Sequence, residues 1–343
     1  MTEEIPLGEI GTSKGKGSKG YIALGIGIGL AIGIAVGYYV NVGTLQYAYK
    51  LLSEAQSPPP DLYLTAYSPG KVMLLTGMGT PIMVQDFPVN EKFRYIGQIK
   101  EYKILVTNND YIYILKNNDI YSKLLVEGLI TGTVMKESIY VAFNGGVVKL
   151  SVPNLVEEAV WKMEGVAWLY AIPEEGLLFA LTDKALYVLD ENLKVVKKYD
   201  AGGQRLFVGA YYFFVAKGGA VSSYDRTTGR PVATATVEGE VYDLRACRGI
   251  LLAATSAKLY AFRVPDLSLI KTFDAAGIQL INDASCSLIY LVGDKTLYVV
   301  LVPSLNLHKA ELTVSLDGLE VRTGALGVAA TGAKRQVALA CGG

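Results

Sequence analysis

The side chains suited to chemistry are few and scattered. The 343-residue chain carries one His, three Cys and two Trp. His308 stands in LNLHKAEL with no second His and no nearby Cys, so no metal-ligand set can be assembled around it. Its alternating surroundings place it on an outer, solvent-facing strand. Cys247 and Cys286 are 39 residues apart and Cys341 lies near the end. None of the three falls in a CxxC or Cys–His spacing. There is no phosphate-binding Walker loop, no serine nucleophile elbow and no HExxH pair. The Gly-rich run LGIGIGLAIG (24–33) lacks the strand-to-helix turn that a dinucleotide cradle requires. No catalytic residue, metal site or cofactor site is assigned, and an enzyme is the less favoured reading.

Charge narrows the partners. The chain holds 32 basic and 32 acidic residues, a net charge of zero, so it lacks the positive field that draws nucleic acid. Its mean hydropathy of +0.31 is high and asks for a membrane segment. Residues 21–40 (YIALGIGIGLAIGIAVGYYV) carry no charge, and about 20 helical residues cross a hydrocarbon core of roughly 30 Å. Residues 21–42 are therefore expected to form a single transmembrane helix. Tyr21, Tyr38 and Tyr39 would lie at its interfaces. Lys14, Lys16 and Lys19 precede it and only Lys50 follows closely, so the positive-inside rule keeps tail 1–20 cytoplasmic and puts the rest outside the cell membrane. The Gly/Ser/Lys tail has nothing to bury and should be disordered. Gly25, Gly29, Gly33 and Gly37 recur every four residues along one helix face, where two backbones can approach closely. That face predicts packing against a partner helix, against the alternative that glycine is simply tolerated in lipid. Residues 43–60 read as a helical stem halted by Pro58, Pro59 and Pro60.

Residues 61–343 change character. Short alternating runs are separated by turn residues every 8–12 positions. Hairpins are expected at 103–107 with 111–115, 138–143 with 147–150, 177–182 with 185–189, 212–216 with 220–224, 250–255 with 258–262, and 288–292 with 296–300. Their central positions, Ile104, Ile139, Leu178, Phe214, Leu252, Ile289 and then Val328, are spaced 35, 39, 36, 38, 37 and 39 residues apart. The exit turn also repeats, as VPNL (152–155), DENL (190–193), VPDL (264–267) and VPSL (302–305). A constant period of this size with four short strands per unit is the pattern of a β-propeller blade. Seven or eight blades fit the length. A further hairpin at 71–75 with 81–85 puts eight ahead, with the first outer strand closing the ring against the last blade. The fold class is thus all-β, a seven- or eight-bladed propeller behind an N-terminal transmembrane helix.

YDRTTGRPVA (224–233) and ALYVLDENLKVV (185–196) resemble the repeats of quinoprotein-like (PQQ-type) propellers, which read Tyr-x-Leu/Val-Asp-x-x-Thr-Gly before a further strand. Tyr224, Asp225, Thr228 and Gly229 match; Tyr187, Val188, Leu189 and Asp190 match without the Thr-Gly. The Trp expected after the Thr-Gly turn is absent throughout. The resemblance covers residues 61–343 and implies the propeller fold, including non-enzymatic members that act as assembly platforms. A quinone-dependent enzyme of that family would need a stacking Trp, an acidic calcium cluster and a catalytic Asp. Trp161 and Trp168 read instead as packing between sheets.

Two sets of residues are left for function. Asp243, Arg245, Arg248 and Asp283 fall at comparable points of successive units and are candidates for a polar contact surface on one face of the ring. Ordinary loop solvation and pairing within the domain compete with that reading. Cys247 and Cys286 each precede the second strand of their unit, and an outside location permits a bond. Equivalent points on adjacent blades are commonly too far apart for one, so two small buried thiols are expected. The expected function is a scaffold or accessory subunit that joins a membrane complex, or itself, through helix and ring. The alternatives are an extracytoplasmic enzyme or ligand sensor with its site at the channel mouth, and a self-associating envelope protein.

Overall fold

A computed structural model describes residues 62–283, 285–323, 326–329 and 336–339. The expected tail, transmembrane helix, glycine series and stem lie outside the described residues.

Four-stranded antiparallel sheets repeat along the chain, each ordered from its first strand to its fourth. Blade 2 is Phe93–Ile99, Tyr102–Thr107, Tyr111–Lys116 and Asp119–Leu125; blade 3 is Leu129–Met135, Ser138–Phe143, Gly146–Ser151 and Glu157–Lys162. Blade 4 is Val166–Ile172, Leu177–Thr182, Leu186–Asp190 and Val195–Tyr199; blade 5 is Arg205–Val208, Tyr212–Lys217, Ala220–Asp225 and Pro231–Thr236. Blade 6 is Val241–Cys247, Ile250–Thr255, Leu259–Arg263 and Leu269–Phe273; blade 7 is Gln279–Asn282, Leu288–Val292, Thr296–Leu301 and Asn306–Glu311. Blade 1 is built from both ends of the domain: Gly318–Thr323 is its first strand, followed by Leu62–Ser68, Lys71–Thr76 and Pro81–Asp86. All six hairpins expected from the repeat are present as the second and third strands of blades 2 to 7.

The first strands touch one another in succession all the way round, with Gly318–Thr323 meeting Phe93–Ile99 to close the circle. The ring therefore has seven blades, and the expectation of eight is overturned. The pair 71–76 with 81–86 is the outer half of a blade whose inner strand arrives from the far end of the domain. Val328 lies in Leu326–Ala329, which pairs with Gln336–Leu339 as a separate two-stranded hairpin. Closure also runs opposite to expectation. The late strand becomes the innermost strand of the first blade, tied to Leu62–Ser68 along its length.

A lone four-stranded sheet has two apolar faces and cannot bury either, so each blade needs a neighbour on both sides. Among the described residues, seven hydrophobic clusters result, one per seam between blades. Ile104, Ile139, Leu178, Phe214, Leu252 and Ile289 are all buried in them. The fourth strands form the outer rim; those of blades 2, 3 and 5 mix exposed and half-buried residues, while those of blades 4 and 6 are exposed up to a buried last residue.

The repeated exit turn has a structural role. Leu155, Leu193, Leu267 and Leu305 adopt φ of 55°, 61°, 53° and 55°, where a side chain is ordinarily disfavoured. Each is buried against the preceding blade, which offsets that cost. In blade 5 the same place is taken by Gly229 at φ 73°, because a Cβ there would collide with the Tyr199 ring of blade 4. The carbonyls of these turns then receive donors from the blade before. Ser122 Oγ reaches Pro153 O at 2.6 Å, Tyr140 Oη reaches Glu191 O at 2.8 Å, Ser223 Oγ reaches Pro265 O at 2.7 Å, and Lys271 Nζ reaches Leu305 O at 2.8 Å.

Candidate interaction surface

The four charged residues singled out from the sequence converge on one seam, between blades 6 and 7. Asp243, on the inner strand of blade 6, is buried and accepts the N–H of Leu244 at 2.8 Å and, across the seam, that of Leu280 at 2.8 Å. Burial pushes its pKa up; Arg245, these two N–H groups and Arg205 pull the other way. Arg245 donates Nε to Leu280 O at 3.1 Å, and its guanidinium lies 5.7 Å from the Phe207 ring centre of blade 5. Arg248, in the next turn, donates to Ser285 O and Ser287 Oγ of blade 7, both at 3.0 Å. Asp283 is buried and organises the blade 7 turn: its carboxylate accepts the N–H of Ser287 at 2.7 Å and of Leu288 at 2.8 Å, and the Ser285 hydroxyl. Asp243, Arg245 and Arg248 reach across this seam to blade 7, Asp283 shapes the turn that receives Arg248, and of the four only Arg248 is exposed.

The same seam holds a disulfide. Cys247 and Cys286 are bonded, with Cα atoms 5.5 Å apart, so the expectation of two free thiols is overturned. That expectation treated them as equivalent points on adjacent blades. They are not equivalent: Cys247 is the last residue of a seven-residue inner strand, whereas the inner strand of blade 7 stops after four residues. Cys286 sits in the turn that follows, at φ 54°, and this turn bends back to blade 6.

The inner strands of blades 4 to 6 carry a ladder of aromatic and guanidinium groups. Arg205 lies 4.9 Å from the Trp168 ring centre and donates Nε to Tyr242 O at 2.6 Å. Tyr170 and Phe207 meet edge-to-face at 5.5 Å. Trp161, on the outer strand of blade 3, meets Tyr187 of blade 4 at 5.1 Å. Both tryptophans thus pack between neighbouring blades. On the opposite arc the Tyr95 hydroxyl accepts the Val134 N–H at 3.2 Å, and burial pushes its pKa up to about 12. His308 is exposed on the outer strand of blade 7, opposite Val299. Among the described residues, no three His, Cys, Asp or Glu side chains cluster as a metal site would require.

The rim of the ring offers apolar surface. Ile120, Tyr121 and Leu125 of blade 2, Val156 and Val160 beside or on the outer strand of blade 3, Val195 and Val196 of blade 4, and Leu269 and Ile270 of blade 6 are all exposed. Between blades 2 and 3 this surface deepens into a groove of about 670 Å³. Its apolar walls are Leu124, Leu125 and Val126 on one side and Val148, Leu150 and Val160 on the other, with Glu127 and Glu157 at its edge. Sequence reasoning missed this groove. The available signal was the pair Leu124 and Val148, aliphatic where the next seam places Trp161 and Tyr187.

No protein-family model matches the chain, and no curated protein sequence does. Similar solved structures are numerous and distant. A functionally unknown protein from Desulfotomaculum acetoxidans superimposes with a TM-score of 0.60 at 8% identity, covering 77% of this chain and 99% of its own. BamB from Moraxella catarrhalis gives 0.54 at 14% identity, covering 76% and 85%. The dihydro-heme d1 dehydrogenase NirN, solved in complex with DHE, gives 0.53 at 12% identity, covering 77% and 76%. At these identities the likeness is one of fold, and it places residues 62–323 among the β-propellers.

Proposed function

We propose that the chain is a membrane-anchored propeller acting as a scaffold or accessory subunit, presenting its outer rim to another protein of a membrane complex. The observation that carries this reading is the rim itself: apolar side chains stand exposed on the outer strands of successive blades and deepen into a groove. Exposed apolar surface beyond scattered single residues marks sites of protein association. The charged residues expected to form a polar contact surface, Asp243, Arg245, Arg248 and Asp283, are instead engaged at the seam of blades 6 and 7. The Cys247–Cys286 bond supports an outer location for the propeller, since disulfides persist in oxidising compartments. The uncharged run 21–40 and its preceding lysines support the anchor and its orientation, and the Gly25, Gly29, Gly33 and Gly37 face supports a second contact inside the bilayer.

Chemical crosslinking in native membranes, read by mass spectrometry, tests the proposal. Reproducible links from propeller lysines and residues 44–56 to one other membrane protein are expected. Gly29→Leu with Gly33→Leu should weaken the links nearest the membrane. Links confined to copies of this chain would overturn the accessory-subunit reading in favour of self-assembly.

A further inference from the structure

The groove between blades 2 and 3 differs from the neighbouring seams at two defined positions. The first is the fourth-strand residue that faces the next blade. Leu124 pairs with Ile112, and the matching pairs are Trp161 with Val147, Tyr199 with Leu186, Ala235 with Val221, Phe273 with Leu259 and Ala310 with Leu297. The second is the third-strand residue that faces the blade before. Val148 pairs with Val160, and the matching pairs are Tyr187 with Lys198, Ser222 with Thr234, Tyr260 with Thr272 and Tyr298 with Lys309.

Each of the four seams from 3/4 to 6/7 has an aromatic ring at one or both positions. Trp161 meets Tyr187 at 5.1 Å, and Tyr199 meets Phe213 at 5.0 Å. The Tyr260 hydroxyl accepts the Glu238 N–H at 3.0 Å, and Phe273 packs in one cluster with Tyr298. Seam 7/1 also lacks a ring at both positions, with Ala310 and Met73, but there Met78 packs into the cluster; in seam 2/3 both positions are aliphatic and the wedge-shaped space between diverging blades stays open. The groove opens at these two positions, with the Phe143 ring of blade 3 also lining it.

We propose that this groove is a docking slot for an extended segment of a partner protein, in which an aromatic side chain is flanked by Lys or Arg. The aromatic ring would enter between Leu124 and Val148 as Trp161 enters against Tyr187. Buried aromatic anchors of this kind dominate the energetics of protein interfaces. Charge decides the flanks: the charged residues lining the groove are Glu127 and Glu157, both exposed carboxylates, and no basic residue lines it. Exposed Leu125 and Val160 extend the apolar floor to where flanking residues would lie. The inference rests on the scaffold reading and names the surface that would serve it.

The full-length chain in detergent, with labelled Leu and Val methyl groups, can be titrated with acetyl-Arg-Val-Trp-Val-Arg-amide and with its Glu-flanked counterpart. The expected result is saturable shifts confined to methyls of Leu124, Leu125, Val148 and Val160, from the basic peptide only. Val148→Tyr should weaken binding at least about tenfold by filling the slot, without lowering the melting temperature. Glu127→Lys with Glu157→Lys should reverse the preference between the peptides, which keeps the test decisive if Val148→Tyr fails to fold. No shifts up to about 5 mM peptide, or binding untouched by these variants, would overturn the proposal. So would crosslinks from Glu127 or Glu157 to a lysine of the same chain, since the slot would then have an internal occupant. These outcomes leave the membrane crosslinking result standing on its own, so failure of the slot is distinguishable from failure of the scaffold.

Discussion

Leu267 holds a left-handed backbone and a buried side chain at once, and the two pull in opposite directions. At an ordinary site glycine is less stable than alanine by about 0.5–1 kcal/mol, whereas a left-handed conformation costs a non-glycine residue about 1–2 kcal/mol. Both Leu267→Ala and Leu267→Gly should lose about 2–4 kcal/mol of packing, with the glycine variant no worse than the alanine one. Chemical denaturation of the pair measures this inversion. Asp243 makes a second argument at this scale. Burial holds its folded pKa above the usual 3.8. Between 3.8 and that raised value the folded chain keeps the proton and the unfolded chain has lost it, so this group's contribution to stability falls as pH rises through the window. The slope should vanish from the denaturation midpoint of Asp243→Asn. Asp243→Ala, which strands the N–H groups of Leu244 and Leu280, should cost about 3 kcal/mol at neutral pH.

Between elements, the seam of blades 6 and 7 is fastened both covalently and by hydrogen bonds. Asp243 and Arg245 reach Leu280, Arg248 reaches Ser285 and Ser287, and Cys247 is bonded to Cys286. Closing a loop of 39 residues removes chain entropy from the unfolded state worth roughly 4 kcal/mol. Cys247→Ser with Cys286→Ser should lower stability by about 2–4 kcal/mol while the far-ultraviolet circular dichroism is retained. Non-reducing peptide mapping of the natural protein should find the bonded pair. Among the described residues, the seam of blades 2 and 3 is held by side chains alone: Ser122 reaches Pro153, Arg94 reaches Leu129, Tyr95 accepts from Val134 and Lys100 pairs with Glu137, beside a cluster bordered by the groove. The peptide titration above addresses that element.

At the scale of the whole molecule, stability depends on a single strand joining the two ends of the domain. Gly318–Thr323 is paired with Leu62–Ser68 and packed against Phe93–Ile99. A chain ending before Gly318 should expose Leu62–Ser68 as a bare edge and open the seams beside blade 1. Loss of cooperative unfolding and rapid proteolysis near blade 1 are the expected outcomes. A truncation with an unchanged melting curve would mean that closure contributes little.

The blade pattern was legible because its cause is local. Alternating residues make strands, NND (108–110), NGG (144–146) and KGG (217–219) make tight hairpins, and the Leu-bearing exit turn repeats in blades 3, 4, 6 and 7. Blade number was not legible, because a strand's period does not say which sheet it joins; Gly318–Thr323 and Val328 read alike and belong to different sheets. The charged set was legible as a cluster, yet its inward partners were not, since Asp243 and Leu280 meet only when two blades stand side by side. The same holds for Cys247 and Cys286, whose spacing matches the repeat while the short strand before Cys286 breaks its symmetry. The sequence by itself determined the repeating unit, the uncharged run 21–40 and the lack of recognisable catalytic motifs, all of which follow from neighbours along the chain. Only the tertiary structure decided the seven-fold ring, the disulfide and the open groove, because each depends on which distant residues the closed circle brings together.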